Sequence, residues 1–242
     1  MSGHSKFANI KHRKEKSDSQ RAKIFTKIGR EIAVVVKQGG ADPEGNSKLK
    51  DVIAKAKAAN VPNDTIARSI KKAAGDIDST NYEEISYEGY GPGGVAVIVE
   101  TMTDNRNRTA AEIRHSFDKY GGNMGTTGCV TFMFNKMGVI LIEQTGKIDE
   151  EKLMTELLDY GIEDFNVEDE YIEILTDPGS FSEVREALEK KGFEFEQAEV
   201  SMVPATMTKL TDARQAELME KLIDSMEELD DVLNIYHNWE QE

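Results

Sequence analysis

An α+β protein of three domains is what this chain of 242 residues predicts: an N-terminal helical bundle and two ferredoxin-like α+β domains, the last inserted into the middle one. Three observations carry that reading. Apolar residues recur at helical spacing as far as Gly75, β-branched and aromatic residues begin to alternate at Tyr82, and from Gly138 the periodicities run strand, helix, strand, strand, helix, strand. The boundaries expected are 1–78 for a basic arm and helical domain, 79–136 with 206–242 for a discontinuous α+β domain, and 137–205 for the insert.

Residues 2–19 hold almost no apolar periodicity and too little apolar surface to fix a conformation, so they read as a flexible basic arm. Over 21–38 a helix is expected, with Ile24, Phe25, Ile28, Ile32, Val35 and Val36 on one face, ended by Gly39 and Gly40. A second helix fits 47–59, turning Leu49, Val52, Ile53 and Ala56 inward. A third follows Val61 and Pro62, with Ile66, Ile70 and Ala73 inward and Arg68, Lys71 and Lys72 outward. The segment 75–81 is a linker by composition.

Strands are expected over 82–88 and 95–101, joined through the glycine-rich turn 89–94, then a helix over 107–119 and a strand over 129–134. The insert then supplies strand 139–143, helix 150–160, strands 164–168 and 171–176, helix 181–191 and strand 193–202. A helix over 212–226 and a strand over 232–236 are too little to fold alone. The piece from Tyr82 to Phe134 lacks just such a helix and strand, which is why the third domain reads as an insertion, with Pro204 at the return crossing.

Charge is segregated along this scaffold. The net charge is −15, yet nine Lys or Arg fall within the first 30 residues, and the stretch to Gly75 carries 17 basic and 7 acidic residues. A basic module on an acidic body points to a polyanionic partner. No apolar run reaches membrane-spanning length and no signal-peptide core follows the basic start, so a cytoplasmic protein with no membrane partner is expected. The single cysteine, Cys129, excludes an intrachain disulfide and reads as a small buried residue.

The candidate nucleic-acid-binding residues are Lys6, Phe7, Asn9, Lys11, His12, Arg13, Lys14 and Lys16 of the arm, Arg21, Lys23, Lys27 and Arg30 of the first helix, and Arg68, Lys71 and Lys72 of the third. Lysine and arginine neutralise phosphates and release counterions, and Phe7 offers a ring for a base to stack on. A second phosphate site is expected at Arg106, Arg108 and Arg114. Cations in the first turn of a helix oppose its dipole unless an anion binds there, and Asn105 or Asn107 is the expected N-cap.

Other chemistry is not supported. The run Gly121 to Gly128 is followed by a strand and by no Lys-Ser or Lys-Thr, so it fails as a phosphate loop; like Gly91 to Gly94 it reads as a place where backbones come close. His4 and His12 lack companion ligands, and no triad or carboxylate-metal spacing stands out, so neither enzyme activity nor a metal or cofactor is expected. The acidic clusters at 149–151, 168–170 and 227–231 read as solvated faces that repel nucleic acid or dock basic proteins, ribosomal ones included.

The opening Ser2-Gly3-His4-Ser5-Lys6-Phe7-Ala8-Asn9-Ile10-Lys11-His12-Arg13-Lys14, with 91–94, 103–109 and 121–125, closely resembles the YebC family over nearly the whole chain. That family includes the mitochondrial translational activator of cytochrome oxidase subunit one. The resemblance implies a non-enzymatic, three-domain protein described either as a DNA-binding transcriptional regulator or as a translation factor at the ribosome that relieves stalling on proline-rich sequences. One departure is Phe7, where the family commonly has Trp; the aromatic face is kept and the indole donor is lost. The expected partners are ribosomal or transfer RNA, with DNA as the alternative, together with ribosomal proteins, for a chain that acts as a monomer. No dimerisation heptad is present.

Overall fold

The computed structural model describes residues 18–75, 82–146, 148–168 and 170–241, with the side chains of 18–22 outside that description. The described residues are mixed α+β and fall into two compact units, one of 31–75 with 136–201, the other of 18–30, 82–135 and 202–241.

In the first unit, helix α1 (Asp18–Gly39, which begins in the other unit) ends at Gly40, whose φ of 88° only glycine adopts cheaply. Helices α2 (Ser47–Ala58) and α3 (Asn63–Gly75) follow. Asn46 joins the first two: its Oδ1 accepts from Leu49 N at 3.1 Å as the N-cap of α2, while its Nδ2 donates to Val35 O and Gly40 O at 2.9 Å each, satisfying carbonyls at the end of α1. Helix α2 buries Leu49, Val52, Ala54 and Ala56, whereas Ile53, expected inward, is only half-buried because the helix turns Ala54 to the core instead.

The same unit holds a four-stranded sheet. Its strands are β4 (Phe134–Glu143, which begins in the other unit), β5 (Ile162–Val167), β6 (Tyr171–Thr176) and β7 (Gln197–Pro204, which ends in the other unit), in the order β5-β6-β4-β7. Helices α5 (Glu150–Leu158) and α6 (Phe181–Lys190) connect them, giving the βαββαβ order of elements expected from the pattern. Ile140, Ile142, Ile172 and Ile174 meet Leu153, Leu157, Val184 and Leu188 in one core. Leucine, isoleucine and valine at period two on strands and three to four on helices are what place this layer.

The second unit has the sheet β3-β1-β2-β9, built from β1 (Glu83–Tyr90), β2 (Ala96–Thr103), β3 (Asn123–Met124) and β9 (Val232–His237). Helices α4 (Arg106–Lys119) and α7 (Ala213–Glu227) cover it, with Val95, Val97 and Val99 against Ile113, Phe117, Met219, Leu222 and Met226. A short parallel pair, β8 (Thr208–Lys209) and β10 (Trp239–Glu240), lies at the end.

This sheet corrects two expectations. It is not βαββαβ, because the tight turn at 91–95 makes β1 and β2 a direct antiparallel hairpin with no room for a crossover helix. Nor is 129–134 a strand: residues Thr131–Met133 form a 3₁₀ turn and β4 starts only at Phe134. Cys129 accordingly sits half-buried in a bend rather than on a strand, its thiol pushed up by burial and by the carboxylate of Glu88.

The two glycine runs do bring backbones together. Gly89 pairs with Met124 and Tyr90 with Asn123, and a Cβ on Gly122 would stand 2.7 Å from Tyr90 O and 3.0 Å from the Phe117 ring. A backbone oxygen in a paired strand cannot yield, so Gly122→Ala is expected to cost about 1–3 kcal/mol of stability. A urea titration checks this, read as a lowered midpoint at unchanged slope.

Candidate nucleic-acid interface

The predicted interface residues separate into those the protein itself neutralises and those it leaves open. Lys6, Phe7, Asn9, Lys11, His12, Arg13, Lys14 and Lys16 lie outside the described residues. Arg21 stands on α1, its side chain likewise outside the description.

Lys23, Lys27 and Arg30 of α1 turn to the C-terminus of α7. Lys23 pairs with the Glu228 carboxylate, Lys27 donates to Glu227 O at 3.0 Å, and Arg30 donates to Asp230 O at 2.8 Å and to Asp231 Oδ1 at 2.9 Å. The Arg30 guanidinium also lies 5.4 Å from the centroid of the Tyr82 ring. Cations are favoured where a helix presents unpaired carbonyls, and an acidic stretch just beyond the helix strengthens the attraction. The segment 227–231 is therefore not simply a solvated face, and Asp231 in particular is only 4% exposed.

Asp231 is the hub of this region. Its Oδ2 accepts from Arg108 at 2.6 Å, Thr109 Oγ1 at 2.7 Å and Thr103 Oγ1 at 3.0 Å, while Arg30 takes the other oxygen. Burial alone would raise its pKa, but these donors, Arg108 foremost, bring it down to about 2.

Arg108 consequently serves the fold where a phosphate was expected. Besides Asp231 it holds Asp104 at 2.9 Å, so carboxylates of the chain offset the cation in the first turn of α4. Asn105 is the N-cap, accepting from Arg108 N at 3.1 Å. Arg106 and Arg114 on the same helix are exposed and have no carboxylate partner among the described residues.

Helix α3 presents the other open cations. Arg68, Lys71 and Lys72, spaced three and four residues apart, share one exposed face. Arg68 makes only local bonds, to Asp64 O and Thr65 Oγ1 at 3.2 Å each, and none of the three has an acidic partner among the described residues. Lys50, Lys55 and Lys57 of α2 behave differently. Lys50 pairs with Glu44 and Glu186, Lys57 approaches Glu189 at 3.7 Å, and Lys55 lies between Glu31 at 3.0 Å and Glu199 at 3.2 Å. Burial would lower the Lys55 pKa, but the two carboxylates raise it and keep the ammonium charged.

Sequence reasoning missed the loop between β3 and β4. Glu88, 4% exposed, accepts N–H bonds from Gly128 at 2.7 Å and from Val130 and Thr131 at 2.9 Å each. Burial opposes its ionisation, yet these donors hold its pKa below the ordinary value. The cradle bends the backbone so that Val130 and Phe134 are buried while Phe132 between them is 76% exposed. The alternation Val130, Phe132, Phe134 looks like one strand face, and Glu88 sits on β1 among the exposed Glu84, Ser86 and Tyr90, so nothing local marks it as the buried acceptor for this loop.

Among the described residues no group of three or more His, Cys, Asp or Glu side chains is placed to hold a metal ion. No described helix is long and apolar enough to cross a membrane.

Known proteins match along the whole chain. Residues 5–76 match the family model described as the TACO1/YebC protein N-terminal domain, and 82–239 that of the TACO1/YebC second and third domain. A probable transcriptional regulatory protein of Acetivibrio thermocellus is 72% identical over 99% of both chains. One of Ruminiclostridium cellulolyticum is 65% identical over 100% of this chain and 98% of that one. The crystal structure of a conserved hypothetical protein from Aquifex aeolicus is similar with a TM-score of 0.80 and 43% identity, covering 93% of this chain and 92% of that one.

Proposed function

The chain belongs to the TACO1/YebC family, and from that premise we propose that it is a non-enzymatic, nucleic-acid-binding regulator of gene expression, working as a ribosome-associated translation factor that relieves stalling. One observation carries the binding: Arg68, Lys71 and Lys72 project from one face of α3 with no acidic partner among the described residues, whereas Lys23, Arg30, Lys55 and Arg108 on other helices are tied to carboxylates. Unneutralised cations on a rigid face are suited to phosphates. Arg106 and Arg114 add a second open cationic site, while Arg108 is left out of it.

RNA is favoured over a specific duplex because α3, with Asn63 at its start and Arg68 beyond it, carries no cluster of Asn, Gln or Arg resembling a base-reading surface. The relatives' name, probable transcriptional regulatory protein, supports the second reading, DNA-level control. The three-domain division at 1–78, 79–136 with 206–242, and 137–205 is part of the proposal, supported by the family description and by the return of β9 to β2. So are a monomeric state, a cytoplasmic location, and contact of the acidic surfaces with basic ribosomal proteins.

Ultraviolet crosslinking in living cells, with sequencing of attached RNA and DNA, tests this. Ribosomal or transfer RNA crosslinked at defined positions is the expected result. Discrete promoter DNA with little RNA would replace the translation reading by transcriptional control.

A further inference from the structure

Phe132 is displayed, not merely exposed. Large apolar side chains on a protein surface are usually scattered singly, but here the flanking backbone is tied down on both sides of the ring. The three N–H bonds to Glu88 fix residues 128–131, Tyr90 OH donates to Cys129 O at 3.0 Å, and Ala205 N donates to Met133 O at 2.8 Å. On either side Val130 and Phe134 are anchored in a small core with Ala96 and Ile98. The ring therefore stands on a preorganised base and would lose little entropy on meeting a partner.

Its surroundings say what kind of partner. Residues 121–135 contain no charged residue at all, in a chain where 31% are charged and acids exceed bases by 15. Glu88 beneath the loop is buried and its charge is met by three N–H groups. A polyanion thus meets no carboxylate of this run. The exposed neighbours Thr126, Thr127, Gly128 and Thr131 are polar or small, and among the described residues of this unit the other exposed large apolar side chain is Tyr90, at 37%. A protein-binding hot spot needs an apolar, water-excluding surround, which this loop lacks; an unpaired nucleobase needs only an open ring face, hydroxyls nearby and no negative charge.

We propose that Phe132 is a stacking platform for an unpaired base of single-stranded nucleic acid. This rests on the nucleic-acid reading above and sharpens it, because a stacked base must lie outside a duplex. Phosphate contacts come from open cations of the same unit, Arg106 and Arg114, and Phe132 adds a contact that is indifferent to salt.

The test uses the full chain with a mixed-sequence 20-nucleotide RNA carrying 2-aminopurine, single-stranded or annealed to its complement. Phe132→Ala and Phe132→Leu are each expected to weaken single-strand binding by about 5- to 150-fold, to abolish the fluorescence quenching that accompanies stacking, and to leave the salt dependence unchanged. Phe132→Trp retains both binding and quenching, and duplex binding is the same in all variants. Because the side chain is exposed, thermal unfolding of the variants should match the parent, separating this effect from misfolding. Single-strand binding by Phe132→Ala equal to that of the parent overturns the stacking role, as does full rescue by leucine, which would mark an ordinary apolar contact. Absence of any binding by the parent chain overturns this inference and the nucleic-acid reading together.

Discussion

Replacing Asp231 with alanine should destabilise the second unit by about 2–3 kcal/mol, the cost of removing a buried carboxylate and leaving the inward hydroxyls of Thr103 and Thr109 without their acceptor. Arg30 and Arg108 both converge on this side chain, and Thr103 and Thr109 donate to it from the interior. Asp231→Asn keeps the shape and removes the charge, so it should recover part of the packing but little of the ion pairing. The pH dependence has a definite sign. The folded pKa, about 2, lies below the ordinary value of 3.8, so the stabilisation is fully present above roughly pH 4 and is lost as pH falls toward 2. That component is on the order of 2 kcal/mol. Urea midpoints measured from pH 7 to pH 2 should fall steeply in the acid range for the parent and more gently for Asp231→Asn. Parallel curves would show that other carboxylates govern acid unfolding.

Charge reversal on α3 should affect binding as strongly as the Asp231 change affects folding. The triple change Arg68→Glu, Lys71→Glu and Lys72→Glu is expected to weaken RNA binding on the order of a hundredfold near 0.1 M salt. It should also flatten the slope of log affinity against log salt by about 2–3, at roughly 0.7–0.9 for each phosphate no longer neutralised. All three side chains are exposed and make no ion pair within the described chain, so stability should scarcely change. Lys190→Glu, an equally exposed lysine in the last turn of α6, is the control and should leave the slope unaltered. The same reversal at Lys11, Arg13 and Lys14 should add to the effect of the α3 triple. An α3 variant with parental affinity and slope would remove that helix face from the interface.

The contrast between these two experiments shows what a sequence carries and what it conceals. Periodicity identifies nearly every helix and strand, because burial imposes a spacing that survives in the apolar residues alone, as in Leu153 and Leu157 or Ile172 and Ile174. Positive charge is equally visible, but its use is not. Lys23, Lys27 and Arg30 look like Lys71 and Lys72 in one dimension; they differ because an acidic helix end some 200 residues away folds against them. Phe132 is hidden for the opposite reason. A local alternation points inward, and a distant carboxylate, Glu88, bends the backbone until the ring points out. Long-range partners decide both cases, and a single sequence does not announce them.

The pairing of β2 with β9 has a consequence for how the protein is made. Ala96 N and Asn238 Oδ1, which close this edge at 2.8 Å, are 142 residues apart along the chain. At a synthesis rate of about 5–20 residues per second, a nascent β2 waits roughly 7 to 28 s for its neighbour. Met219, Leu222 and Met226, which cover Val97 and Val99, also arrive late. Throughout that interval the chain emerging from a ribosome carries an open hydrogen-bonding edge and a bare valine face, the kind of surface that chaperones bind and aggregates recruit. The βαββαβ portion, whose strand partners all lie within residues 134–204, is complete before that edge is closed.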